Sequence, residues 1–319
     1  MFSLSEPPLF TRLAGARRVL IAGAGGGFDV YAGIPLALAL RAAGKDVHLA
    51  NLSFTNLTAL DVDSWVWPGV AAVTPSTGGV KGSYFPERVL ATWLAAERLP
   101  STVYAFPRVG VQPLRLAYQS LLSHLGIDAV VLVDGGTDIL MRGDEVGLGT
   151  PEEDMTSLAA LAGIDGVERL AVCIGFGIDT YHGVCHSLVL ENLAALTRTG
   201  AYLGAFSIPP GSPEAQGYLR AVEHAAAATP RRPSIVNGQI AASLRGEFGD
   251  SQFTDRTAGS ELFVNPLMSM YFTLDLPGLA ASVGYLPQLE QSVHLAEVAM
   301  AIREHREHLD RRTWRAFPH

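Results

Sequence analysis

The chain is poor in the residues that define several protein classes. Its 319 residues include two cysteines, Cys173 and Cys185. That is too few for a disulfide framework, and they lack the Cys-x-x-Cys spacing of a zinc site. There are two lysines against 21 arginines, and nowhere a run of basic residues that could neutralise a phosphate backbone, which argues against nucleic acid as a partner. Charged residues make up only 17% of the chain, against 48% hydrophobic, and the net charge is −8; this balance belongs to globular rather than disordered proteins. Mean hydropathy is +0.23, yet no uncharged apolar stretch reaches the ~18 residues of a membrane span. Met1 to Arg18 lacks the basic start and apolar block of a secretory signal. Together these absences point to a cytoplasmic protein without membrane attachment. The Arg- and Ala-rich bias resembles a GC-rich bacterial coding sequence. So apolar a chain is expected to cover some surface in a homo-oligomer.

What is present is an alternation of strands and helices. Apolar runs at Arg18 to Ala24, Asp46 to Leu52, Thr102 to Phe106, Ala129 to Asp134, Leu170 to Gly175 and Ala201 to Ser207 read as strands. Helical segments lie between them at Ile34 to Ala43, Pro86 to Glu97, Pro113 to Leu125, Glu152 to Ala162 and Val184 to Thr197, with another at Pro213 to Ala228. Glycine behind several of them and proline at the start of others fit helix ends. The pattern predicts an α/β fold, a doubly wound, mostly parallel Rossmann-like sheet with helices on both faces. It reads as one domain over residues 1–319, less regular from about 233. There a short strand at Ser234 to Val236, another at Leu267 to Leu274 and a long helix over Leu286 to Leu309 are expected.

Three loops, each directly after a predicted strand, carry glycine and acid together. The first is Gly23-Ala24-Gly25-Gly26-Gly27 with Asp29. Glycine allows a sharp turn and a close approach of backbone N–H groups to a ligand. Position 28 is Phe, so Gly-x-Gly-x-x-Gly is not met, and Asp29 would repel a phosphate; a neutral or cationic ligand group, or a bridging metal, suits the loop better. The strand after this loop's helix ends at Asn51 and Ser53, not at the acid that holds a ribose in NAD enzymes. The second glycine loop follows Asp134 as Gly135-Gly136-Thr137-Asp138, with Arg142 beyond it. Asp134 and Asp138 fall at the carboxyl edge of the sheet, where ligands bind in such folds. Arg142 can take a carboxylate or phosphate bidentately, or pair with Asp138 or Asp144. The third loop follows Leu170 to Gly175 and carries Asp179, His182 and His186. On a continuous helix these three share a face and could ligate a transition metal; His182 is alternatively a general acid or base. Cys185 reads as a buried structural thiol, and Glu87 as a helix-dipole partner.

The runs AGAGGGFDVYAGIPL, VDGGTDILMRGDEVGLGTPEEDMTSL, GFGIDTYHGVCH and GSELFVNPLMS resemble the bacterial and archaeal family catalogued as domain of unknown function 1152. That resemblance, nearly full length, implies one α/β unit and one shared site, with no established activity. A local similarity to the sirtuin NAD loop is carried by Gly23-Ala24-Gly25 and Gly33-Ile34-Pro35, with a gap two residues longer and no zinc cysteines. The combined expectation is an enzyme for a small polar metabolite, of hydrolase, lyase or cyclase type. His182, Asp134, Asp138 and Asp179 are its candidate catalytic residues. Gly25, Gly26, Gly27, Asp29, Gly135, Gly136, Thr137, Arg142 and His186 would bind substrate or cofactor. A divalent metal is one candidate cofactor, with Asp179, His182 and His186 as ligands, and NAD or a nucleotide is the other. A non-catalytic metabolite sensor is the remaining alternative.

Overall fold

Valine, isoleucine, leucine and alanine fill the central strands on both faces, as a sheet covered by helices on each side requires. The computed structural model describes residues 3–79 and 84–316. Its nine strands are β1 (Arg18–Gly23), β2 (Asp46–Leu52), β3 (Trp65–Trp67), β4 (Val70–Val73), β5 (Val103–Phe106), β6 (Ala129–Asp134), β7 (Glu168–Cys173), β8 (Tyr202–Ser207) and β9 (Met270–Asp275). They form one sheet in the order β3-β4-β5-β2-β1-β6-β7-β9-β8. The pairings β5-β2, β2-β1, β1-β6 and β6-β7 are parallel. β4 is antiparallel to β5 and β9 to β7.

Alternate residues of one strand serve two different cores, because successive side chains leave opposite faces. In β6, Val130 and Leu132 pack with the helices Val111–Leu125, Pro151–Ala162 and His186–Thr199. Ala129, Val131 and Val133 pack on the other side with Ile34–Ala42, Pro86–Ala96 and Pro213–Ala228. The expected doubly wound, mostly parallel sheet is therefore present. Helix ends follow local chemistry: Gly126, in the left-handed region at φ 60°, closes Val111–Leu125, and Ser212 accepts the Ala215 N–H ahead of Pro213–Ala228.

Two expectations for the chain beyond 233 fail. Residues 234–236 are not a strand. Ser234 accepts the Asn237 N–H and starts the helix Ile235–Leu244, whose apolar residues surround it because it is buried. The long helix over 286–309 is two pieces, Leu286–Leu289 and Leu295–Glu307. The second restarts at a capping box in which His294 stands as N-cap and Glu297 returns the bond. The strand expected at 267–274 is β9, over Met270–Asp275. The β3-β4 pair was not foreseen.

The sheet order fixes where a ligand can sit. From β1 the chain builds outward through β2 to β5, then returns to β1's other side and builds through β6 to β7. The loops leaving the carboxyl ends of β1 and β6 thus depart to opposite faces and leave a crevice between them. Ala24 N–H still donates to Val133 O at 2.9 Å, so the two strands remain zipped to the floor of that crevice.

Candidate functional site

Beyond Gly23 the chain turns through Gly26 and Gly27, both in the left-handed region at φ 85° and 60°. This turn brings Asp29 back over the loop, where its Oδ2 accepts the Gly25 N–H at 2.6 Å. A Cβ on Gly25 would lie 2.6 Å from Asp154 Oδ1 and 2.7 Å from Asp29 Oδ2. Glycine there is what lets two carboxylates come so close. Asn51, at the end of β2, supports the loop from below: its Nδ2 donates to Gly27 O at 2.9 Å and to Glu87 Oε1 at 2.8 Å.

The second loop supplies two more acids. Asp134, the last residue of β6, accepts the Ile139 N–H at 3.4 Å. Asp138 accepts the Thr150 N–H at 2.8 Å and its hydroxyl at 3.2 Å. The third loop joins the second directly, since Asp179 Oδ2 accepts the Thr137 N–H at 2.5 Å and its hydroxyl at 3.3 Å. A Cβ on Gly136 would sit 2.8 Å from Asp179 Oδ2, and one on Gly135 3.3 Å from Asp29 Oδ1. The three glycine-and-acid loops therefore meet.

Asp154 completes the cluster from the first turns of the helix Pro151–Ala162, whose positive dipole end favours a carboxylate. Its Oδ1 is fully buried and, among the described residues, has no hydrogen-bond partner. Oxygens of Asp29, Asp134 and Asp154 all lie within 4.8 Å of one another. Asp134, Asp138, Asp154 and Asp179 are each at most 4% exposed. Among the described residues no arginine or lysine forms an ion pair with any of these five acids.

Such a cluster resists ionisation. Burial holds the carboxyls of Asp134, Asp154 and Asp179 far above the usual range, and repulsion from Asp138 adds to the rise in all three. Asp29 keeps a solvent-facing edge, yet desolvation still dominates and its carboxyl is pushed up to about 8, with Asp138 and Glu153 adding repulsion and the Gly25 N–H opposing. Asp138 is raised by burial too, with Thr150 and the nearby His182 pulling it back. A site of this kind holds protons or a cation. Its donors are all oxygen, which suits a hard divalent ion such as Mg²⁺, Ca²⁺ or Mn²⁺.

Several sequence expectations are relocated. Asp179, His182 and His186 do not share a helix face. Residues Ile178–His182 are a 3₁₀ turn, Gly183 breaks it at φ 85°, and the next helix starts at His186. Asp179 belongs to the carboxylate cluster instead. His182 is exposed at the rim, edge-on to Tyr181. His186 Nε2 lies at the Gly177 carbonyl and the Thr180 hydroxyl, with its ring against Phe176. Arg142 does not face the cluster: it lies 3.8 Å from Asp144 and 4.0 Å from Glu145. Glu145 is fully buried and is also held by Asn192 and Arg312, each at 2.6 Å. Cys185 is buried. Sequence reasoning missed Asp154, and it read Glu87 as an ordinary helix-start acid. Glu87 is in fact fully buried, and desolvation pushes its carboxyl up to about 7 against the bond from Asn51.

No helix among the described residues is long and apolar enough to cross a membrane. In comparisons with known proteins, a family model described as a protein of unknown function (DUF1152) matches residues 20–307. No curated protein matches. Among solved structures, a match is the Streptomyces sp. SF2575 glycosyltransferase SsfS6, crystallised with thymidine diphosphate, at 18% identity and a TM-score of 0.24. The match covers 57% of this chain and 44% of that one, so this chain spans less than half of the glycosyltransferase.

Proposed function

The chain belongs to the DUF1152 family of proteins of unknown function, and from that premise we propose that it is an enzyme for a small polar metabolite, using cation-assisted acid/base chemistry of hydrolytic or lyase type at the β1/β6 crevice. The observation that carries this reading is the buried Asp154 Oδ1, without a hydrogen-bond partner among the described residues, in a carboxylate that lies close to those of Asp29 and Asp134. A buried acceptor without a donor costs free energy, and three carboxylates within 4.8 Å compound the cost. A divalent cation between them offsets both.

Asp29, Asp134 and Asp154 would hold the ion, and Gly25 leaves room for it. When bound, the ion would polarise a substrate oxygen or acidify a water. Asp138 and Asp179, each anchored by backbone N–H groups, set the second wall and orient a substrate hydroxyl or amine. His182, exposed at the rim and within electrostatic reach of Asp138, carries the proton to and from the substrate. The same geometry weighs against a dinucleotide. The Gly25 N–H is already taken by Asp29, which puts negative charge where a pyrophosphate would lie, and the helix after the loop is only Asp29–Ala32.

Calorimetric titration of chelator-treated protein with Mg²⁺, Mn²⁺ and Ca²⁺ tests the centre. Saturable one-site binding that Asp154→Asn abolishes is expected. Incubation of the loaded protein with pooled polar metabolites, followed by mass spectrometry, tests the chemistry: one species should be consumed by the wild type and spared by Asp134→Asn. Binding without conversion would identify a sensor instead. Absence of cation binding, or undiminished binding by Asp154→Asn, would remove the basis of the proposal.

A further inference from the structure

A second concavity lies between the start of the helix Pro86–Ala96 and the turn that follows the helix Pro213–Ala228. It has a volume of about 760 Å³ and is walled by Tyr84, Arg88, Arg231 and Arg232 among others, a size ordinary for a metabolite pocket. Of the described residues lining it, three are arginines and none is acidic. In a chain of net charge −8, that is a local reversal of sign. Arg231 and Arg232 are exposed, and among the described residues their guanidinium groups meet no acid. Arg88 is steadied by the Phe85 ring, 5.3 Å away, and by the Thr77 carbonyl at 3.3 Å. Their charges are thus left for something outside the chain.

Tyr84 joins this concavity to the carboxylate cluster. It lines the pocket, and a Cβ on Gly27 would sit 3.0 Å from its hydroxyl. The ring packs edge-on to Phe28 at 5.6 Å. Its hydroxyl feels both sides: Asp29 and Glu87 raise its pKa on top of burial, and Arg256 and Arg232 oppose them. Tyr84 therefore stands within electrostatic reach of two centres of opposite sign, the carboxylate Asp29 and the arginine Arg232 of the concavity.

We infer that the substrate is a phosphorylated small metabolite, its phosphoryl group seated against Arg88, Arg231 and Arg232 and its polar remainder reaching past Tyr84 to the carboxylates. Guanidinium forks match phosphate oxygens, and phosphate is the common metabolite group whose charge needs several of them. A long-range separation of charges in one ligand also explains why an acid-rich centre need not repel it. The inference rests on the reading of the cluster as the reactive centre, but its anion end is measured separately.

Inorganic phosphate and pyrophosphate, titrated calorimetrically into chelator-treated full-length protein, are the probes. Saturable pyrophosphate binding is expected, weakened about tenfold or more by Arg231→Gln or Arg232→Gln. Both side chains are exposed and engage no acid, so the variants should fold normally, as circular dichroism would show. Arg303→Gln serves as the control. It lies in another arginine-bearing concavity that also contains Glu152 and Glu307, and it should leave affinity unchanged. Asp154→Asn should keep pyrophosphate binding while losing cation binding. Absent binding, or equal losses in all three arginine variants, would overturn the inference and leave the cation centre standing. Pyrophosphate binding in a protein that takes no cation would sink the cation centre alone.

Discussion

Asp154→Asn should make the metal-free protein more stable, an unusual result for a buried polar position. At 4.8 Å and an effective dielectric near 20, each like-charged pair costs about 3 to 4 kcal/mol. The alternative is to hold a proton. For a carboxyl with an ordinary value of 3.8, that costs about 4 kcal/mol at pH 7. The cheaper route caps the penalty, so removing one acid recovers up to about 4 kcal/mol. The Asn amide can also donate to Asp29 or Asp134. With an unfolding entropy of about 0.7 kcal/mol/K for 319 residues, the gain is about 6 °C in Tm. Its pH dependence has a fixed sign. The folded cluster binds protons more tightly than the unfolded chain, so wild-type stability falls as pH rises from about 3.8 towards about 8, the value of Asp29. The variant's advantage is therefore near zero at pH 4 and grows as pH rises, because burial holds the folded Asp154 carboxyl well above its ordinary value. Added cation reverses the order. At a hundredfold excess over Kd it stabilises wild type by about 2.7 kcal/mol, near 4 °C, and leaves the variant unmoved. Calorimetric scans at pH 4, 6 and 8, with chelator and with Mn²⁺, read all of this. A variant less stable than wild type at pH 8 in chelator, or a gain equally large at pH 4, would refute the electrostatic reasoning.

Three further outcomes are expected. Gly25→Ala places a methyl 2.6 Å from Asp154 Oδ1; titration should show cation affinity reduced about tenfold or more, with a Tm loss of about 2 to 4 °C from overpacking. His182→Ala, at an exposed rim position, should shift Tm by about 1 °C or less while removing conversion of the substrate in the mass-spectrometric assay. Arg312→Ala strips a 2.6 Å partner from the fully buried Glu145 and should cost about 3 kcal/mol in chemical denaturation, without altering cation affinity.

Much of the fold is legible in sequence because local and global signals agree. Ala129 to Val133 is apolar throughout and glycines follow Asp134, and the run is β6. Pro213–Ala228 has its serine cap and proline start. Asp134 and Asp138, at the end of β6 and in the loop just beyond it, could be found because the carboxyl edge of an α/β sheet is a known ligand rim. Asp154 could not be found that way. It lies inside a helix whose first turns read Glu152-Glu153-Asp154, where acids are expected for the dipole alone, and only the sheet order brings that helix over the glycine loop. A clue was present in the glycines, since Gly25 and Gly149 stand where any side chain would strike a carboxylate. The imagined helix face of Asp179, His182 and His186 failed at Gly183, whose φ of 85° ends the turn. His294 was equally silent as a helix start, since histidine is not among the preferred N-caps.

β9 lies between β7 and β8, although the chain leaves β8 at Ser207 and returns only at Met270. During synthesis, β8 must therefore wait for a neighbour that the ribosome has not yet made. Until then β7 shows a bare flank, and open flanks of that sort invite pairing with other nascent chains. Any product stopped short of Met270 keeps both defects permanently. Late nonsense alleles should consequently yield inclusion bodies rather than shortened, partly working molecules.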